Sequence, residues 1–290
     1  MYNCPEAGFP HALGLFNSIE RGKLMKGIIN KRSLFGDEYR ALGLCEFHEE
    51  LPVIRQLIKL AADAVKKQST LDSCSHDGVC YMFAKSIVDY LIMAYDNFLL
   101  GHFYAAQMVL RSVVENSICL NILLSYTDQE LWKYYLIQSF YEGVKIPGAK
   151  TKDRNKKDFY DLCEDYEIPQ EFLIKSKKNG SKEAYAYIDK PYGWTYPINK
   201  NFTFSGLCNL VNPRDYSDFK LMSMYSHGTS LYLKMGGMAS ADSIMNMCSL
   251  FYYNVYKLVA TYCPDSASPR FFQLIDRLGE CFEKYMQESD

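Results

Sequence analysis

In FYAAQMVLRSVVENSICLNILLSY, residues 103–126, the only charged side chains are Arg111 and Glu115. Their spacing of four puts both on one face of a helix. Much later, MYSHGTS, residues 224–230, sets His227 among Tyr225, Ser226 and Thr229. Of the five histidines, at 11, 48, 76, 102 and 227, only His227 has hydroxyl side chains on both sides. Imidazole titrates near neutrality and can carry a proton in either direction. A histidine, a fixed guanidinium and hydroxyl groups suffice for metal-independent RNA cleavage. The imidazole moves a proton from the ribose 2′-hydroxyl to the leaving 5′-oxygen, and the arginine stabilises charge on phosphorus. His227, Arg111 and Glu115 are therefore the candidate catalytic residues.

Each has a plainer role beside it. The stretch 215–226 has helical apolar spacing at Phe219, Met222 and Tyr225, and Gly228 is a natural stop, so His227 can simply end a helix. An imidazolium there gains ~0.3–1 kcal/mol from the helix dipole. Arg111 and Glu115 read as an ion pair among apolar neighbours. Breaking such a pair costs ~3–5 kcal/mol, whereas replacing both members is often neutral, so register or function must account for it rather than stability.

The elements that must carry these residues are helices. Apolar spacing of three and four recurs along the chain, strand alternation does not, and the expected class is an all-α multi-helix bundle. Helices are expected at about 13–30, 50–68, 78–100, 102–126, 128–145, 153–166, 169–178, 214–226, 240–262 and 268–287. On the 102–126 wheel, Phe103, Ala106, Leu110, Val113, Val114 and Leu124 form one stripe. Met108, Ile118 and Ile122 fall elsewhere, which predicts a central helix apolar nearly all round. Lys85, Asp89 and Asp96 share a face of 78–100, either extending a polar groove or forming its solvent edge.

Residues 1–75 read as an N-terminal helical region packed on a core formed by 76–290. Within that core, about 145–213 is partly irregular. KIPGAKTKDRNKK (145–157) and KSKKNGSK (175–182) are basic and read as solvated connections. AYAYIDKPYGWTYPINKNFTF carries Tyr185, Tyr187, Tyr192, Trp194 and Tyr196 among turn residues, and reads as an irregular segment held by its rings, as a loop or as a cover.

A chain of 290 residues that is 48% hydrophobic can build a large core. Its formal charge of -2 provides no global field for nucleic acid or anionic membrane, so charge-guided binding must be local. The ten cysteines are scattered, with no CxxC pair and no zinc spacing. No metal or cofactor is expected. Glu46-Phe47-His48 has the wrong spacing for a di-iron helix. GxSxG, Walker A, GxGxxG and HExxH are absent. The first residues have neither a basic start nor a long apolar run, and 78–100 and 243–256 are interrupted or short for a bilayer, so a cytoplasmic protein that does not engage a membrane is expected.

Leu110-Arg111-Ser112-Val113-Val114-Glu115, a mid-chain Trp194, and Ser223-Met224-Tyr225-Ser226-His227-Gly228 together resemble a mostly bacterial helical family of unknown function. That family carries an R-x3-E helix, an aromatic segment with a tryptophan, and a late S-x3-H-G element; the resemblance spans roughly 80–262. It is similar in turn to the HEPN superfamily of helical-bundle ribonucleases, found in toxin–antitoxin and phage-defence loci. The resemblance implies a HEPN-like core with extra N-terminal helices, endoribonuclease activity in antiviral defence or stress, and RNA and an antitoxin-like protein as partners, with homo-oligomers allowed. It also implies substrate contacts at Tyr225, Ser226, Ser223 and Trp194. The usual HEPN spacing of Arg and His within one helix is missing, since Arg214 lies 13 residues before His227. A composite of Arg111, Glu115 and His227 takes its place. The alternative is a non-catalytic sensor or interaction module binding a ligand or partner protein near Arg111 and His227.

Overall fold

The turn before the first long hairpin shows how local chemistry sets the helix starts. The Ser75 hydroxyl accepts from the Gly78 amide at 3.0 Å, a helix N-cap, while its own proton goes to the Asp72 carbonyl at 2.9 Å. A Cβ on Gly78 would come within 2.1 Å of the Asp72 oxygen, so only glycine lets the cap close. A computed structural model describes residues 50–69, 72–100, 102–145, 152–173, 176–178, 182–184, 187–213, 215–226 and 241–287. The expected helix at 13–30 lies outside them.

Among the described residues the order is α1 (Glu50–Lys67), α2 (His76–Leu99), α3 (Phe103–Ser125), α4 (Leu131–Lys145), α5 (Lys152–Asp165) and α6 (Gln170–Leu173). A hairpin of β1 (Ser176–Lys178) and β2 (Lys182–Ala184) follows, then α7 (Phe204–Val211), α8 (Asp215–Ser226), α9 (Ala241–Tyr262) and α10 (Pro269–Gln287). The chain is a multi-helix bundle. Two expectations change. The helix at 169–178 stops at Leu173, and Ser176, Lys177 and Lys178 pair antiparallel with Ala184, Glu183 and Lys182. Asn179-Gly180 between the two runs is a hairpin dipeptide, and the flanking lysines give a helix no apolar face. Second, α7 was not foreseen, because its eight residues sit in a turn-rich stretch. Thr203 caps it by accepting from the Gly206 amide at 3.1 Å.

The short link between α2 and α3 folds them into an antiparallel hairpin, the most extensive helix pair of the bundle. α3 is central, packing also on α7, α8 and α9. Ala106, Leu110, Val113, Val114, Ile118 and Ile122 are buried as its wheel predicts, but Met108 is 49% exposed, so one side of its first half faces out. Over Ala105–Ser125 this helix is long and apolar enough to cross a membrane by length and composition, which neither 78–100 nor 243–256 is; here it lies in the bundle. Leu51, Ile54, Leu57, Ile58, Ala61 and Val65 of α1 join the same apolar cluster as α2, α3, α9 and α10.

A second, smaller core holds the mid-chain segment. Ile137 of α4, Phe159 of α5, Ile168, Phe172 of α6, Ile188 and Tyr196 pack together. Of the basic stretch 145–157, Lys145 ends α4 and residues from Lys152 on are helical. The aromatic segment 187–203 is seated by one side chain: Gln138 of α4 donates to the Lys190 carbonyl at 2.7 Å and accepts from the Trp194 amide at 2.8 Å. Gly193 is needed in the turn between them, since a Cβ would stand 2.0 Å from the Tyr187 oxygen.

Candidate functional site

The polar residues of α3 form a stripe at Gln107, Arg111 and Glu115, each one turn from the next. Arg111 and Glu115 do not pair. Among the described residues the ion pairs within 4.0 Å are His76–Asp77, Lys85–Asp89, Lys133–Glu130 and Lys257–Asp215. Glu115 instead accepts a 2.5 Å hydrogen bond from the Tyr192 hydroxyl, contributed by the mid-chain segment. Burial, then this bond and the Glu115 charge, push the Tyr192 phenol well above its ordinary value, so the proton stays on the tyrosine. The expected ion pair fails for a reason periodicity cannot reveal, because a partly buried carboxylate takes whichever donor the tertiary fold brings.

Arg111 is held by its face. Its guanidinium carbon lies 4.5 Å from the centroid of Phe219 on α8, a cation–π contact. Phe219 in turn makes a tilted contact with Phe204 of α7, with centroids 4.0 Å and planes 37° apart, and Phe204 meets Tyr192 at 6.1 Å. Arg111 Nε and the neighbouring Gln107 Oε1 are buried with no hydrogen-bond partner. Native folds leave few such atoms.

The placement of α8 follows from what pins its start. The Asp215 carboxylate accepts from Lys257 Nζ of α9 at 2.7 Å, from Asn212 Nδ2 at 3.0 Å and from the Tyr253 hydroxyl at 3.2 Å. Asn254, one turn before Lys257, accepts from Ser117 Oγ of α3 at 3.3 Å. With Asp215 anchored near Ser117 and Phe219 on Arg111, α8 runs antiparallel to α3, its later turns heading towards the Gln107 end. Ser223, one turn past Phe219, is half-buried and donates to the Phe219 carbonyl at 2.7 Å.

Of the residues singled out in the sequence, Arg111 and Glu115 lie on the α3 face that meets α7, α8 and the aromatic segment, and Ser223 lies on α8. Tyr225 and Ser226 belong to the last turn of α8, with side chains outside the described set. His227, with Gly228 and Thr229, lies outside the described residues. Trp194 is 3% exposed in the main apolar cluster against Tyr135, and its neighbour Tyr192 is the ring that reaches α3. The Lys85–Asp89 pair is a solvated one at 2.6 Å, both side chains more than half exposed, and Asp96 is exposed too. Sequence reading missed Gln107, Tyr192 and Phe219 as site residues. Gln107 alone left a signal, as a polar residue one turn before Arg111.

Among the described residues, no three His, Cys, Asp or Glu side chains are grouped to hold a metal ion. No protein-family model, curated protein or solved structure matches this chain.

Proposed function

We propose that this protein is a metal-independent endoribonuclease whose scissile phosphate is held by Arg111. The observation that carries this is the state of that guanidinium. It is fixed over Phe219, its Nε is buried and unpartnered, and its nearest carboxylate in sequence, Glu115, is engaged by Tyr192. A half-buried cation with no carboxylate partner among the described residues is suited to an anion from outside, and a planar guanidinium matches phosphate oxygens.

His227, the residue after the end of α8, supplies the proton transfers. Its imidazole takes the 2′-hydroxyl proton as that oxygen attacks phosphorus; the bond from phosphorus to the 5′-oxygen breaks, and the imidazolium returns the proton to it. Arg111 stabilises the extra negative charge of the pentacoordinate state. Glu115 holds Tyr192 and thereby the aromatic segment against the groove, a positioning role. The bundle is then a HEPN-like core. Defence or stress is the setting, in the cytoplasm, with an antitoxin-like partner or a second copy restraining cleavage. Separate Arg111→Ala and His227→Ala variants, shown to be folded, test this on labelled RNA: each loses cleavage, and unchanged cleavage in both ends the assignment.

One observation favours a second reading. The 2.5 Å bond from Tyr192 to Glu115 engages one of the candidate catalytic groups with the chain's own side chain, as in a binding module that needs no chemistry. A sensor would leave RNA intact and saturate with one ligand or partner.

A further inference from the structure

We infer that the α3 face carrying Gln107 and Arg111 recognises a nucleobase edge through Gln107. This rests on the reading of RNA as the ligand, and adds which part of it the buried stripe contacts. Gln107 is 9% exposed, and its Oε1 is buried without a donor. One turn away on the same face, Arg111 Nε is buried without an acceptor. A lone anion would satisfy the arginine and leave the amide oxygen unmet, because an anion brings no N–H. The two vacant positions ask for a ligand with one donor and one acceptor side by side, the arrangement along the edge of every nucleobase.

The surroundings suit a flat ring. The Arg111 guanidinium lies 4.5 Å from the Phe219 centroid, and Phe219 meets Phe204 in a tilted contact with centroids 4.0 Å apart, so the residues beside the arginine are aromatic. Unpaired bases in RNA are commonly held on aromatic rings and arginine planes while their edges are hydrogen-bonded. Arg111 is only half-buried, so part of its side chain reaches solvent. The base supplies its N–H to Gln107 Oε1 and its acceptor to Arg111 Nε, and the remaining guanidinium donors stay available for phosphate.

The test uses the full chain and the four nucleosides, which contain no phosphodiester to cleave, with ribose 5-phosphate as the base-free probe, read by calorimetry. At least one nucleoside saturates the protein. Gln107→Leu, which removes the acceptor but keeps the bulk, weakens it by roughly tenfold or more, as expected when a ligand N–H loses its partner. Gln107→Glu, which keeps an oxygen acceptor, loses less, and unchanged melting shows that both variants are folded. If no nucleoside saturates, or if ribose 5-phosphate binds as tightly as the best nucleoside and Gln107→Leu has no effect, the inference is overturned. Nucleoside binding without RNA cleavage overturns the nuclease assignment alone; RNA cleavage without nucleoside binding overturns this inference alone.

Discussion

The Tyr192 hydroxyl donates to a Glu115 carboxylate oxygen at 2.5 Å across 77 residues of sequence, and that bond ties the aromatic segment to the central helix. Tyr192→Phe removes the donor and leaves a partly buried carboxylate short of a partner. Hydrogen bonds to charged groups contribute about 1.5–3 kcal/mol, so urea unfolding should show a loss of that order. Glu115→Gln, which keeps a neutral acceptor, should lose less. Equal stability of Tyr192→Phe and wild type would show that the segment is held by Gln138 and its rings alone.

The Asp215–Lys257 pair is a structural anchor rather than a site. Their side chains are 4% and 13% exposed, and the carboxylate has further donors in Asn212 and Tyr253. Lys257→Met strands a buried carboxylate and should cost ~3–5 kcal/mol, while joint replacement of both by apolar residues should cost much less. A double-mutant cycle by chemical denaturation measures the coupling.

Stability should fall on the alkaline side. Burial first, and then the nearby Asp77 and Asp215 charges, raise the Cys80 and Cys208 thiols from 9.0 to about 12 in the fold. Tyr192 is raised as well. A raised acid keeps its proton when folded and releases it earlier when unfolded. Its contribution is therefore complete below the unfolded value, and is lost as pH rises from about 9 through the folded value. Urea midpoints at constant ionic strength should be level near neutrality and drop steadily above pH 9. A flat profile to pH 11 would contradict the burial of these groups.

Thiol reactivity should be selective in the folded state. Among the described cysteines only Cys74, in the turn before α2, is exposed. Thiolate is the reactive form, and burial pushes Cys80, Cys163, Cys208 and Cys263 to about 11 or 12. Brief alkylation near neutral pH with peptide mapping should mark Cys74 about tenfold or more ahead of those four. Comparable labelling of Cys208 would mean that the α7–α8 corner opens readily.

Helix positions were legible because apolar spacing is local. Residues 103–125 and 215–226 carry their own periodicity, whereas the Ser75 cap, which starts α2 two residues before the expected 78, shows in the structure. What α3 does with its charges was not legible. Nothing near Glu115 in sequence announces Tyr192, and nothing near Arg111 announces Phe219, because Tyr192 arrives on a turn that Gln138 of α4 fixes and Phe219 on a helix whose start is pinned through Asp215 to Lys257 of α9. The helix at 204–211 was obscured for a related reason: its cap at Thr203 follows a run of turns, and its eight residues give periodicity little room.

The most direct test incubates the full-length protein with end-labelled single-stranded RNA in excess chelator and identifies the product termini. Attack by the 2′-hydroxyl predicts fragments ending in a 2′,3′-cyclic phosphate with 5′-hydroxyl partners, formed by wild type and lost in Arg111→Ala and His227→Ala. Intact RNA under these conditions, or cleavage that persists in both folded variants, would contradict the assignment of Arg111 and His227 to metal-independent RNA cleavage.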